Sequence, residues 1–195
     1  RDTPVIFRAM DQWFIRIDHE NFREKALQVI DSAVKWIPDW GRNRIEGAVK
    51  TRPDWCISRQ RTWGVPIPAF YDAESNPILD ANIIRNVADI VEKHGSNIWF
   101  EKDVNELWQL VRPENWSGSV PVKKSLDTLD VWIDSGSTSR SVLMQRTELN
   151  HLPTQDAPQW VADMYLVGSD QHRGWFQSSL LLSLAGNGSA PYKTV

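Results

Sequence analysis

At 195 residues the chain can bury a genuine core as one large domain or two small ones, and its 41% hydrophobic and 24% charged content is ordinary for a soluble globular protein. A net charge of −3 argues against a chain built to coat nucleic acid, and the single cysteine, Cys56, excludes an internal disulfide or a Cys-rich zinc knuckle. No apolar run approaches the roughly 18–20 residues of a membrane span, and the opening Arg1–Asp2 pair is unlike a secretory signal, so a cytoplasmic setting with no membrane partner is expected.

Val5 to Phe7 and Trp13 to Ile17 read as two short strands. A helix follows from about Asn21, with Phe22, Ala26, Val29, Ile30 and Ala33 at helical spacing, and it finishes before Pro38. Beginning in a strand with no initiator methionine, the chain is expected to be an internal piece of something longer. Arg42, Arg44, Lys50, Arg52, Arg59 and Arg61 form a basic stretch able to touch phosphates; on charge alone, a solvated face paired with nearby acids is as good an account.

After the turn-rich, aromatic run Pro53 to Pro68, Tyr71 to Pro77 reads as a polar turn. Asp80 is placed to cap a helix bearing Ile83, Ile84, Val87, Ile90 and Val91 that stops at Gly95. Asp103 is placed to cap another, with Val104, Leu107, Trp108 and Val111, ending before Pro113. The expected organisation is residues 1–52 as strands and helix, 53–70 as a body segment, 71–125 as a small α+β insertion, and 126–195 as a change of character. In that last part, Leu129 to Ile133 and Met164 to Val167 read as strands. A GSDQ turn leads into a helix with Phe176, Leu180 and Leu184 on one face, and Pro191 to Val195 begins another strand. Strand, turn, helix, strand is the half-unit of a parallel nucleotide-binding sheet.

Ligands of such sheets sit beyond the carboxyl ends of the strands. Gly168 lets backbone approach a ligand there. Asp170 and Gln171, opening the helix, can bond ribose hydroxyls or an ammonium group. Taken alone, Asp170 or Ser169 as a plain helix N-cap is the simpler account. Trp132 and Trp175 fall near the same strand ends and could wall an apolar pocket, although a lone tryptophan is usually core. Eleven tryptophans suit either such a core or a carbohydrate cleft. In the second case Asp130 and Asp134, on one side of a strand with Trp132, would be the glycosidase acids. The four histidines are scattered, so no metal site is expected, and Ser135, Ser137 and Ser169 lack a nucleophile-elbow context.

Three segments share one resemblance. DWCISRQRTWG (Asp54 to Gly64), LDVWIDSGS (Leu129 to Ser137) and GSDQHRGWF (Gly168 to Phe176) closely resemble bacterial isoleucyl-tRNA synthetases in sequence, order and spacing, and the opening TPVIFRAMDQWF looks like the strand returning from their editing insertion. The first segment is shared with valyl- and leucyl-type relatives; the last discriminates better. The resemblance implies an α/β fold, the partial second half of a Rossmann-like parallel sheet with a small α+β insertion. It implies activation of isoleucine by ATP with Mg2+ and transfer to tRNA(Ile), with Trp132 and Trp175 bordering isoleucine and Gly168, Asp170 and Gln171 facing the adenylate. Val167 stands where the family usually has glutamate, which leaves one polar contact open. A pocket of indoles rejects a side chain one methylene smaller by only about 1–3 kcal/mol, so an editing site is expected in the full enzyme, mostly upstream of Arg1. The family's HIGH-type and KMSKS-type ATP motifs do not occur in the chain, so this segment alone is expected to bind no cofactor and to be inactive.

Overall fold

The computed structural model describes residues 3–149 and 161–195, a mixed α/β chain whose sheets are small. It divides into two units: the described residues up to Ile57 together with those from Asp130 onward, and Ser58–Leu129.

In the first unit, β1 (Phe14–Ile15) pairs antiparallel with β2 (Trp55–Cys56), and Asp54 Oδ1 accepts from the Ile17 amide at 2.9 Å. The five-residue strand expected over Trp13 to Ile17 is therefore paired by ladder only at its centre. Val5 to Phe7 is not a strand: all three side chains stand in solvent and the backbone has no ladder. An apolar run reads as a strand only where another edge is present to meet it. Helix α1 (Phe22–Ser32) follows the expected periodicity, burying Ala26 and Ile30 against α2 (Trp40–Lys50), which buries Ile45, Ala48 and Val49.

The chain then builds a parallel β-α-β unit from β8 (Ala162–Met164), α7 (Trp175–Asn187) and β9 (Tyr192–Thr194). Lys35 bridges Thr194 in parallel, and hydrogen bonds from the Lys35 amide to the Lys193 carbonyl and from the Ile37 amide to the Val195 carbonyl (both 2.8 Å) add a third parallel segment beside β9. Helix α7 is buried on nearly every side: Phe176, Leu180 and Leu181 enter the core with Tyr192, whose hydroxyl donates to the Phe176 carbonyl at 2.9 Å. Its neighbour α6 (Val131–Gly136) lies close because Gly136 has no side chain. A Cβ there would sit 2.9 Å from the Ser178 backbone.

Helix α6 overturns the strand expected over Leu129 to Ile133. Extended structure ends at β7 (Thr128–Leu129); Asp130 then turns the chain and its carboxylate accepts from the Trp132 amide at 3.3 Å. The capping carboxylate outweighs the β-propensity of Val131, Trp132 and Ile133.

In the second unit, β4 (Phe70–Tyr71) lies between β5 (Pro77–Ile78) and β6 (Lys123–Lys124), antiparallel to both, while β3 (Ser58–Arg59) pairs with β7. Asp80 caps α3 (Ala81–His94), accepting from Asn82 (2.8 Å) and Ile83 (3.2 Å), and Gly95 ends it at φ 80°. After the one-turn α4 (Ile98–Glu101), Asp103 and Glu106 form a reciprocal capping box for α5 (Val104–Val111). Phe70, Trp99 and Trp108 meet at ring separations of 5.1 and 5.6 Å at the centre of this core, and the Trp99 indole donates to Ser125 at 2.8 Å.

Candidate functional site

Beyond β8, Tyr165 keeps one sheet bond to Thr194, and Leu166 and Val167 then emerge into solvent. Gly168 is extended, and a tight 3-10 turn covers Ser169–His172. The helix therefore does not open at Asp170 and Gln171; α7 starts at Trp175, behind Gly174. Neither Ser169 nor Asp170 caps the turn.

Side chains knit this turn together. The Gln171 amide nitrogen donates to Asp170 Oδ2 at 2.8 Å, and its oxygen accepts from the Trp175 backbone N–H at 2.9 Å. Gln171 thus satisfies a free donor of α7 while fixing the carboxylate beside it. Asp170 Oδ1 folds over Gly168, where a Cβ would lie 2.7 Å from it. Trp175 stacks flat on the buried Tyr165 (3.9 Å, 9°) and donates through its indole to the Ser135 carbonyl at 2.8 Å. Trp132, from the first turn of α6, reaches the same place: a Cβ on Gly174 would come within 3.0 Å of its ring and 2.5 Å of Gln171 Oε1. The two indoles come from the starts of two helices rather than from strand ends, and Trp132 is 39% exposed. Gly168, Asp170, Gln171 and Trp175 thus form one run of neighbours, and Trp132 approaches it at Gly174.

Asp130 and Asp134 do not face a shared cleft. Asp130 is buried, capping α6 and accepting the Trp55 indole N–H at 2.9 Å, whereas Asp134 is exposed. Around Asp130 lies a polar cluster with no local signature. The Arg52 guanidinium sits 4.9 Å from the Trp55 ring centre and donates to Gln177 on α7, 125 residues away in sequence. Burial pushes the Arg52 pKa down, opposed by the Asp130 carboxylate. His172 is core, its ring against Trp36, Trp40 and Phe176 and its Nδ1 2.7 Å from the Ser169 carbonyl. Among the described residues, no three His, Cys, Asp or Glu side chains gather to hold a metal ion.

A pocket of about 310 Å3 lies at the carboxyl ends of the parallel segments, with Trp36, Trp40, Tyr165, Val167 and Phe176 in its wall. None of Gly168, Asp170, Gln171, Trp132 and Trp175 lines it. The family model for tRNA synthetases class I (I, L, M and V) matches residues 3–195. The chain belongs to the class I tRNA synthetases. Relatives of this class I synthetase chain include the isoleucine–tRNA ligases of Methylacidiphilum infernorum (56% identical, over 99% of the chain and 19% of the relative) and Thermotoga neapolitana (52%, over 98% and 20%). That of Nostoc punctiforme is 52% identical over 98% of the chain and 19% of its own length. The chain thus spans about a fifth of the length of the curated relatives it matches. Class I synthetase membership also disposes of the carbohydrate reading, for which Asp130 is in any case the wrong carboxylate, since it is committed to Trp55 and to α6. Among the described residues no helix is long and apolar enough to cross a membrane.

Proposed function

We propose that the chain is a segment of the catalytic domain of a cytoplasmic isoleucine–tRNA ligase, forming the second half of its Rossmann-like sheet and one side of its adenylate site. The carrying observation is the run of neighbours from Gly168 through Asp170 and Gln171 to Trp175, with Trp132 beside Gly174. The names and identities of the relatives support the same reading.

In this reading the isoleucine carboxylate attacks the α-phosphorus of MgATP and displaces pyrophosphate. A terminal ribose hydroxyl of the tRNA then attacks the carbonyl carbon and releases AMP. The segment supplies position rather than proton transfer. Trp132 and Trp175 flank the isoleucine side chain, with Trp175 held upright by Tyr165 and Ser135. Asp170 accepts from the ribose hydroxyls or the ammonium group. Gln171 donates to Asp170 and leaves Oδ1 beside the glycine for the ligand. Gly168 keeps the backbone bare where the nucleotide passes. Holding reactants in reacting geometry is a large part of such catalysis, while stabilisation of the phosphates falls to motifs this segment does not carry.

Isoleucine-dependent ATP–pyrophosphate exchange tests the reading. The full-length protein should exchange with isoleucine and much less with leucine, and residues 1–195 alone should not exchange. Robust exchange by the segment alone, or none by the full-length protein, would overturn it.

A further inference from the structure

Arg52, just past the end of α2, is half-buried and takes no part in the binding roles given above. Its guanidinium lies 4.9 Å from the Trp55 ring centre, its Nη1 donates to Gln177 Oε1, and the Asp130 carboxylate attracts it. Arg52 Nε and Gln177 Nε2 are buried with no acceptor among the described residues. Buried donors without a partner count against the folded state, and an apolar side chain of like volume often replaces a buried charge without loss. Stability alone therefore gives no reason for an arginine here.

The two indoles give one. From Arg52 a line of contacts runs to each helix that carries one of them. Gln177 belongs to α7, two residues after Trp175, and leaves the helix about 200° round from it. A bond at Gln177 therefore resists rotation of α7 from the face opposite the indole. The other line passes from Arg52 to Trp55, from the Trp55 indole to Asp130 (2.9 Å), and from Asp130 to the Trp132 amide (3.3 Å) at the start of α6. The two helices also press together at Gly136, where a Cβ would lie 2.9 Å from the backbone of Ser178, the residue next to Gln177.

We propose that Arg52 is a positioning residue for amino-acid selection. Through Gln177 on one side, and Trp55 with Asp130 on the other, it sets the gap between Trp132 and Trp175 and with it the preference for isoleucine over valine. The proposal rests on the synthetase reading and adds to it what holds the pocket to size. An apolar pocket separates side chains one methylene apart by only about 10–200-fold, so a small change of gap removes a measurable share.

The test uses the full-length enzyme and compares isoleucine- and valine-dependent ATP–pyrophosphate exchange. In Arg52→Met the isoleucine KM should rise about fivefold, while the valine KM, the ATP KM and both kcat values stay within about twofold. The isoleucine-to-valine ratio of kcat/KM then falls about threefold. Gln177→Leu removes the same bond from the other side, should lower the ratio alike, and keeps the test open where Arg52→Met fails to fold. The double substitution should be no worse than either single one, because the two side chains act as a unit. Arg52→Lys keeps a cationic donor for Gln177 and should recover at least half of the lost ratio. An unchanged ratio in both single variants overturns the proposal. So does an equal fall for the two amino acids that tracks the urea midpoint, which would make the cluster structural only. A wild-type enzyme without isoleucine-dependent exchange overturns the synthetase reading, and this proposal with it.

Discussion

Asp130→Ala is the substitution that tests most of the first unit at once. The carboxylate caps α6 through the Trp132 amide (3.3 Å), and loss of such a cap costs about 1 kcal/mol. It also accepts the buried Trp55 indole N–H at 2.9 Å, and stranding that donor costs about 1–3 kcal/mol. The expected destabilisation is therefore about 3 kcal/mol, read as a urea midpoint shift of about 1.5 M if the slope is about 2 kcal/mol per M. Far-UV circular dichroism during urea unfolding measures it. Trp55→Phe keeps an aromatic ring under Arg52 but removes the donor, so in that background Asp130→Ala should cost about 2 kcal/mol less than in wild type, while the cap and the attraction to Arg52 are still lost. A loss below about 0.5 kcal/mol in the wild-type background, or a coupling near zero, would refute the account of Asp130 as a buried structural acceptor.

In the full-length enzyme, Trp132→Ala should raise the isoleucine KM at least tenfold while the ATP KM moves less than threefold; equal rises in exchange kinetics would remove Trp132 from the pocket. Gly174→Ala, whose methyl would press on Gln171 Oε1 at 2.5 Å and on Trp132 at 3.0 Å, should cost about 1–3 kcal/mol in thermal unfolding and raise the isoleucine KM as well; a neutral result would mean that the two side chains part freely. Burial raises the pKa of Tyr165, and that of Tyr192 well above its ordinary 10.0, so the folded state holds these protons more tightly than the unfolded one. Their contribution is fully present below about pH 10 and is lost as pH climbs from there through the folded values. Denaturant titrations at pH 9 and 11 should show that decline, and Tyr165→Phe should make it shallower; equal slopes for the two proteins would count against the burial of Tyr165.

What could be read from the sequence was local. Asp80, Gly95 and the Asp103–Glu106 box announce α3 and α5 because a cap and its helix lie within a few residues of each other. The GSDQ turn and α7 were legible from turn residues and an apolar face close in sequence, although no side chain caps α7 and it begins at Trp175 rather than at Asp170. The same capping logic was available at Asp130 and lost to the β-branched run after it. Val5 to Phe7 failed differently, since a strand needs a partner that no local pattern supplies. The candidate residues stood out as motifs, but what holds them in place did not. The stack of Tyr165 on Trp175 and the bond from Arg52 to Gln177 join positions whose pairing only the fold creates.

The pairing of β3 with β7 has one further consequence. Ser58 faces Leu129 across a ladder, and just outside it the Asp130 amide donates to the Ile57 carbonyl at 2.7 Å. The chain thus leaves the first unit and comes back to it at a single point, two strand-widths across at most. A two-residue turn joining Ile57 to Asp130 could replace everything between, and a longer or unrelated module could be spliced onto the same pair of stubs without rethreading the body. The seam behaves as a socket: what it holds can change in size and content while Asp130, the residue that seats α6 and its tryptophan, stays where it is.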